Sequence, residues 1–293
     1  MNIRDYLSDL HPEMSLVSDP ERIEQLFARI WGVKYHGYTA PSPSPLARDV
    51  KTFSLNEASR ECEHRYPVGL AICTWNRPLY LEPCLNSVKH CDLSNVITVL
   101  VDDASGDSDT LNLIREFDLD TPLIKIYKTR RRQIHHSLDL AWCLLKGLGC
   151  RYLANLDGDA IVSPSWLGAL QSLHRRLDAP EKTILSAFNK DADSSVIEEA
   201  EDYRIKRKLG GICYFFQSGL LSSIRPLLFD IAWDNLVGGY FTGRYADGYR
   251  LICTRPSYVQ HIGAIGMNSG PHKQFDYATD FVGSETTSVR ERG

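Results

Sequence analysis

The stretch Leu153-Ala154-Asn155-Leu156-Asp157-Gly158-Asp159-Ala160-Ile161-Val162-Ser163-Pro164 decides how the rest of the chain is read. An apolar run stops at two carboxylates that flank a glycine, resumes, and ends in a Ser-Pro helix start. A buried strand cannot hold unpaired carboxylates, so Asp157 and Asp159 are expected where a strand emerges from its sheet. The glycine lets the backbone turn tightly, so that both side chains face one small volume. Two oxygen ligands held that closely suit a hard divalent cation of the kind shared with phosphate oxygens. The plainer alternative is a strand-to-helix turn in which one aspartate only caps the next helix.

Working upstream, a pattern of strand, turn and helix repeats from Pro67 onward. The apolar runs Val68–Cys73, Val96–Val101, Leu123–Tyr127 and Tyr152–Leu156 read as four strands. Apolar residues at helical spacing follow each of the first three: Leu81, Cys84, Leu85 and Val88; Leu111, Ile114 and Phe117; Leu138, Ala141, Trp142, Leu145 and Leu148. Continuous apolar strands alternating with helices imply parallel strands covered on both faces. Ligands of such open sheets bind outside the carboxyl ends of the strands. Those ends carry Asn76 and Arg77, Asp102 and Asp103, Arg130 to Arg132, and Asp157 and Asp159. Acids, arginines and an amide on one rim suit a nucleotide diphosphate with its cation. Gly147-Leu148-Gly149 follows a helix and lacks the third glycine of a dinucleotide fingerprint, and no Walker-type Gly-Lys-Ser/Thr is present.

Composition sets the outer bounds. The chain has 293 residues, 43% hydrophobic and 24% charged, with a formal net charge of −4. That balance argues against nucleic-acid binding driven by bulk charge. Met1-Asn2-Ile3-Arg4-Asp5-Tyr6 mixes charges and has no apolar h-region, so no signal peptide is expected, and no run is long enough to span a bilayer. Eight cysteines are scattered without a Cys-x-x-Cys pair and read as reduced core thiols of a cytosolic protein. Residues 1–65 read as an extension: a helix start at Ser18-Asp19-Pro20-Glu21, apolar residues Ile23, Leu26, Phe27 and Ile30, and a connector at Ala40-Pro41-Ser42-Pro43-Ser44-Pro45.

At this point the residues resemble the GT-A nucleotide-diphospho-sugar glycosyltransferases, especially glycosyltransferase family 2. Ala71-Ile72-Cys73-Thr74-Trp75-Asn76-Arg77-Pro78, continued by Leu81, Cys84, Leu85 and Ser87, is similar to the family's strand ending in Thr-x-Asn-Arg. Val101-Asp102-Asp103-Ala104-Ser105-Gly106-Asp107 resembles its Val-Asp-Asp-Gly-Ser-x-Asp. Leu156-Asp157-Gly158-Asp159, with Pro164 and Leu167, resembles its metal-binding motif. Where the family often shows Asn-x-Gly and Ala-Arg-Asn, this chain has Arg130-Arg131-Arg132-Gln133-Ile134-His135-His136, so the diphosphate contact among the arginines stays open. Adjacent His135 and His136 at a helix start are expected to point apart rather than to share a metal.

The second half is less patterned. Lys182–Phe188 reads as a strand, Asp191–Asp202 as an acidic surface segment, and Arg204–Lys208 as a basic run that faces solvent or meets an anionic acceptor. Tyr214, Phe215 and Phe216 belong either to the core or to an acceptor groove. Trp233-Asp234-Asn235-Leu236, ahead of Gly248-Tyr249-Arg250-Leu251-Ile252, resembles the family segment whose aspartate is the general base, with a helix cap as the alternative for Asp234. His261-Ile262-Gly263 resembles a His-x-Gly whose histidine completes the metal site, and Asn268–Lys273 resembles a flap over the donor.

The resemblance implies an α/β GT-A fold with a mostly parallel central sheet flanked by helices and an N-terminal helical extension. Its expected divisions are residues 1–65, a domain over 66–282 with a nucleotide-sugar half to 176 and an acceptor half from 177, and a tail over 283–293. It implies Thr74, Asn76, Arg77, Asp102, Asp103, Arg132, Asp157 and Gly158 around the nucleotide, Asp159 and His261 on Mn²⁺ or Mg²⁺, and Asp234 as base. The expected reaction moves a sugar, with inversion, from a nucleotide-diphosphate donor, UDP-sugar first, to the hydroxyl of a saccharide, lipid-linked sugar, peptide or small molecule. The rivals are a sugar-phosphate nucleotidyltransferase and an inactive nucleotide-sugar-binding protein. The expected setting is cytoplasmic or peripheral to the inner face of the membrane, without nucleic acid, with self-association through the extension.

Overall fold

The computed structural model describes residues 33–39 (backbone only), 65–190, 195–230, 232–263 and 276–283. The expected helix near residues 20–30, the Pro/Ser connector, the flap at 268–273 and the tail after Gly283 lie outside the described residues. In chain order the elements are β1 (Val33–Thr39), β2 (Val68–Thr74), α1 (Pro78–Lys89), β3 (Val96–Asp102), α2 (Ser108–Glu116), β4 (Leu123–Lys128), α3 (Gln133–Gly147), β5 (Tyr152–Asp157) and β6 (Ala160–Val162). They continue with α4 (Trp166–Arg176), β7 (Thr183–Ser186), β8 (Val196–Glu199), β9 (Tyr203–Lys206), β10 (Phe215–Gln217), α5 (Leu221–Ile224), α6 (Trp233–Gly243), β11 (Arg250–Thr254) and β12 (Val259–His261).

The described residues form two compact units, one from residues 33–39, 65–78, 93–158, 215–230 and 232–233, the other from 79–92, 159–190, 195–214, 234–263 and 276–283. Gly158 ends one stretch of the first unit and Asp159 opens one of the second.

In the first unit the strand order is β1-β4-β3-β2-β5-β10. The four central strands run parallel and every residue of β2 and β3 is buried, as continuous apolar runs require. Antiparallel β1 lies at the edge beside β4, and β10 pairs antiparallel with β5. Strand β1 corrects the sequence expectation: Val33–Thr39, read as part of a helical extension, pairs with β4. Its few polar and aromatic residues carry no period-2 apolar signal, so only the open edge of β4 gives it a place. Helix α3 covers β2, β3 and β5. Its Trp142 is fully buried, donates Nε1–H to the Ala154 carbonyl at 3.2 Å, and meets Phe216 and Trp233 edge-on. Phe215, Phe216 and Tyr214 are all core residues.

In the second unit β7 runs parallel to β11, β11 pairs antiparallel with β9, and β9 with β8. The acidic stretch expected as a surface segment contains the outer strand of a hairpin, in which Glu199 pairs with Arg204. A separate short ribbon joins β6 to β12. Among the described residues no helix is long and apolar enough to cross a membrane.

Helix α3 approaches β2 closely because residue 69 is glycine: a Cβ there would meet three side-chain carbons of Leu145 at 2.9–3.0 Å. Gly69→Ala is therefore expected to destabilise the protein by about 1–3 kcal/mol, the usual cost of overpacking a core. Urea unfolding checks this, and wild-type stability would contradict the close approach.

Candidate active site

Register levels the rim of the first unit. In the parallel pairs Thr74 stands opposite Asp102 and Cys73 opposite Asp157, so the polar strand ends finish together. The loops that leave them are under backbone strain. Among the described residues the non-glycine residues with left-handed φ are Asn76 (52°), Arg77 (66°), Ala104 (61°) and Gln133 (70°), all in loops at these strand ends or opening α3. Such conformations cost about 1–3 kcal/mol each and collect at functional sites. Ala104 stands where the resembled motif has glycine, the residue that takes this φ freely.

Two carboxylates that the resemblance assigns to the nucleotide also organise the loops. Asp102, 1% exposed, accepts the backbone N–H and the hydroxyl of Ser105, and burial raises its pKa against those hydrogen bonds. Asp103, 4% exposed, is ion-paired with the equally buried Lys128 and accepts the backbone N–H groups of Arg132 (2.9 Å) and Gln133 (2.6 Å). It thereby caps α3 as well as neutralising a buried ammonium. The Asn76 side-chain oxygen accepts from the Gly106 (3.1 Å) and Asp107 (3.3 Å) amides, joining the loops after β2 and β3. Asp107 caps α2 through Thr110.

Gly158 differs from its expected role. Its φ is not left-handed; a Cβ would meet Thr74 Cβ and Oγ1 at 3.1 Å and the Cys73 carbonyl at 3.2 Å. The glycine serves close approach to the end of β2, where its N–H donates to Cys73 (3.1 Å). Of the three arginines, Arg131 lays its guanidinium 3.4 Å from the centroid of the Trp75 ring, while the Arg132 side chain is exposed. Trp75 as a platform and Lys128 as a buried cation escaped the sequence reading; an aromatic beside the Thr-x-Asn-Arg end was the visible signal for the first. His135 and His136 do not point apart. Their rings lie 4.5 Å from centroid to centroid, and burial lowers both pKa values.

In the second unit the β6–β12 register sets His261 opposite Ala160, and the Ile262 N–H donates to the Asp159 carbonyl at 2.9 Å. This brings His261 Nε2 to 3.4 Å from Asp159 Oδ2. The other ring nitrogen, Nδ1, lies 3.0 Å from the Asp276 carbonyl. A proton on Nδ1 donated to that carbonyl leaves the Nε2 lone pair facing Asp159. Burial lowers the imidazole's pKa, but the Asp159 and Asp276 contacts outweigh it and the net shift is upward. One carboxylate and one imidazole fit a divalent cation whose remaining positions go to phosphate and water. Among the described residues no group of three or more His, Cys, Asp or Glu is placed to hold a metal.

Asp234, in the first turn of α6, lines a cavity of about 190 Å³ with Asp276, Phe188 and three lysines. Burial raises its pKa, against the backbone amides of Asn235 and Gly211 and the charge of Lys208.

The signature of Glycosyl transferase family 2 matches residues 70–217, from mid-β2 to the end of β10. The chain belongs to glycosyltransferase family 2. An uncharacterised glycosyltransferase of Haemophilus influenzae is 28% identical over 103 residues, which are 34% of this chain and 30% of that protein. GalNAc-T7, solved with UDP, GalNAc and Mn²⁺, aligns over 84% of this chain and 53% of its own at 11% identity and a TM-score of 0.51. The mannosyltransferase PcManGT of Pyrobaculum calidifontis, solved with GDP-Man and Mn²⁺, aligns over 67% and 60% at 21% identity and a TM-score of 0.49. The fold of this family 2 chain is GT-A, and it spans under two thirds of each of these relatives.

Removing the carboxylate of Asp103 strands the Lys128 charge in the interior. Asp103→Ala is expected to cost about 3–5 kcal/mol of stability, the usual penalty for breaking a buried pair. Chemical denaturation would measure it, and a loss confined to nucleotide affinity would show that the pair is not structural.

Proposed function

We propose that the chain transfers a sugar from a nucleotide diphosphate, UDP first among the bases, to an acceptor hydroxyl. The observation that carries the reading is the level rim at Thr74, Asp102 and Asp157 in a family 2 domain. Asp102 and Asp157 would read base and ribose hydroxyls, with Asp103 setting the loop that presents them. The exposed arginines at 130–132 would neutralise the diphosphate, and Arg131 on Trp75 offers a flat cationic face to it. Asp159 and His261 would hold Mn²⁺ or Mg²⁺; GalNAc-T7, of the same fold, was solved with Mn²⁺ and UDP. When bound, the cation supplies Lewis-acid stabilisation of the negative diphosphate.

Asp234 is the proposed base. Its carboxylate takes the acceptor proton while the acceptor oxygen bonds to the anomeric carbon; the bond from that carbon to the diphosphate oxygen breaks, and the electron pair leaves with the nucleotide. Attack opposite the leaving group inverts the anomeric centre. The raised pKa of Asp234 makes it a stronger base than an ordinary aspartate.

A thermal-shift screen of UDP-, GDP- and dTDP-sugars with Mn²⁺ tests the donor. A ligand at a hundredfold excess over Kd stabilises by about 2.7 kcal/mol. Stabilisation by UTP plus a sugar phosphate, and by no nucleotide sugar, would favour a nucleotidyltransferase instead. Asp159→Ala should abolish the dependence of that shift on Mn²⁺, and an unchanged metal dependence would move the cation elsewhere.

Asp234→Asn should keep the donor-induced shift while transfer falls by ~10² or more. The base works only when ionised, so kcat rises with pH through its pKa. The acid limb should lie above the ordinary aspartate value of about 3.9 and vanish in Asp234→Asn.

A further inference from the structure

The Asp234 cavity is small and cationic. Its volume is about 190 Å³. Lys190, Lys206 and Lys208 all line this space, Lys206 buried, Lys190 half-buried and Lys208 exposed.

Each lysine is built into its place. Lys206 is 4% exposed at the end of β9, and its ammonium donates to Asn189 Oδ1 at 3.2 Å and to the Lys190 carbonyl at 3.4 Å. Lys208 follows two residues later and packs against α6 at Gly238, where a Cβ would lie 3.1 Å from Lys208 Cβ. Thr242 Oγ1, one turn on, donates to the Arg207 carbonyl at 2.7 Å. The helix that carries Asp234 is thus fastened to the segment that carries Lys208. Arg204, in the same basic run, is committed to Glu199 and does not line the cavity.

Lys190 shows what this space accepts: its ammonium is ion-paired with the Asp276 carboxylate. The two side chains are 33% and 48% exposed, and ion pairs this wet contribute little to stability. Another anion can replace Asp276 at small cost.

We infer that the acceptor carries, beside its reacting hydroxyl, a phosphate or carboxylate that seats among Lys190, Lys206 and Lys208 in place of Asp276. The anion anchors one end of the acceptor and leaves the hydroxyl at Asp234. This rests on the assignment of Asp234 as the base, and the test is separable because it needs no donor.

Isothermal titration of the full chain with glycerol 3-phosphate, glycerate and glycerol gives the measurement. At least one charged probe should bind about tenfold or more tighter than glycerol and weaken with added salt. The tighter of the two identifies the anion as phosphate or carboxylate. Lys208→Gln, whose side chain is exposed and whose loss leaves the core intact, should weaken the charged probe about threefold to tenfold. Asp276→Asn should tighten it, because the competing carboxylate is gone, whereas a purely structural role for Asp276 predicts weaker binding. Equal affinity for charged and neutral probes, indifference to Lys208→Gln, or weaker binding by Asp276→Asn would each overturn the inference. Absence of nucleotide-sugar binding would remove the transferase reading and leave these results standing.

Discussion

A single buried carboxylate holds the nucleotide-side rim together. Asp103 stands just past β3, neutralises Lys128 at the end of β4, and accepts the first amides of α3. Three chain segments meet on its two oxygens. A buried ion is tolerated only when its partner and its remaining hydrogen bonds are all supplied, so the segments cannot drift independently. The strained residues around it, Ala104 and Gln133, keep their left-handed φ because this network over-determines the loops.

The second unit solves a different problem, that of keeping a half-buried acid beside several cations. The α6 helix brings Asp234 by its N-terminal turn, and Gly238 and Thr242 on the same helix fix the chain just after β9. The alternatives of helix cap and base for Asp234 are not exclusive in this setting. Its Oδ1 accepts the Asn235 amide at 2.9 Å, and the residue still lines the cavity. Short antiparallel pairing of β6 with β12 does the same for Asp159 and His261, residues about a hundred positions apart in the chain.

The parallel core was legible because fully buried strands must be continuously apolar, and Val68–Cys73, Val96–Val101 and Tyr152–Leu156 are. Helix α1 was equally plain, since Leu81, Cys84, Leu85 and Val88 recur at helical spacing and all are buried. Strand β1 was not legible, because an edge strand is held by the backbone of its neighbour and needs no pattern of its own. The β8–β9 hairpin was missed for a related reason: its side chains pair by charge, Glu199 with Arg204, and charge runs look alike in strands and loops.

By itself the sequence determined the four parallel strands, the helices between them and the polar residues at each strand end, since these follow from local periodicity, while the family was legible as a resemblance of its short motifs. Only the tertiary structure decided what each polar residue touches. Asp102 and Asp103 are adjacent in the chain, yet one holds its own loop and the other binds a lysine and a helix start. Gly158 is needed for the approach of β2 and not for its φ, and the basic run divides, Lys206 and Lys208 lining a cavity while Arg204 pairs with Glu199. Those outcomes depend on which distant segment packs alongside, and burial converts that neighbour into the partner each charge must have.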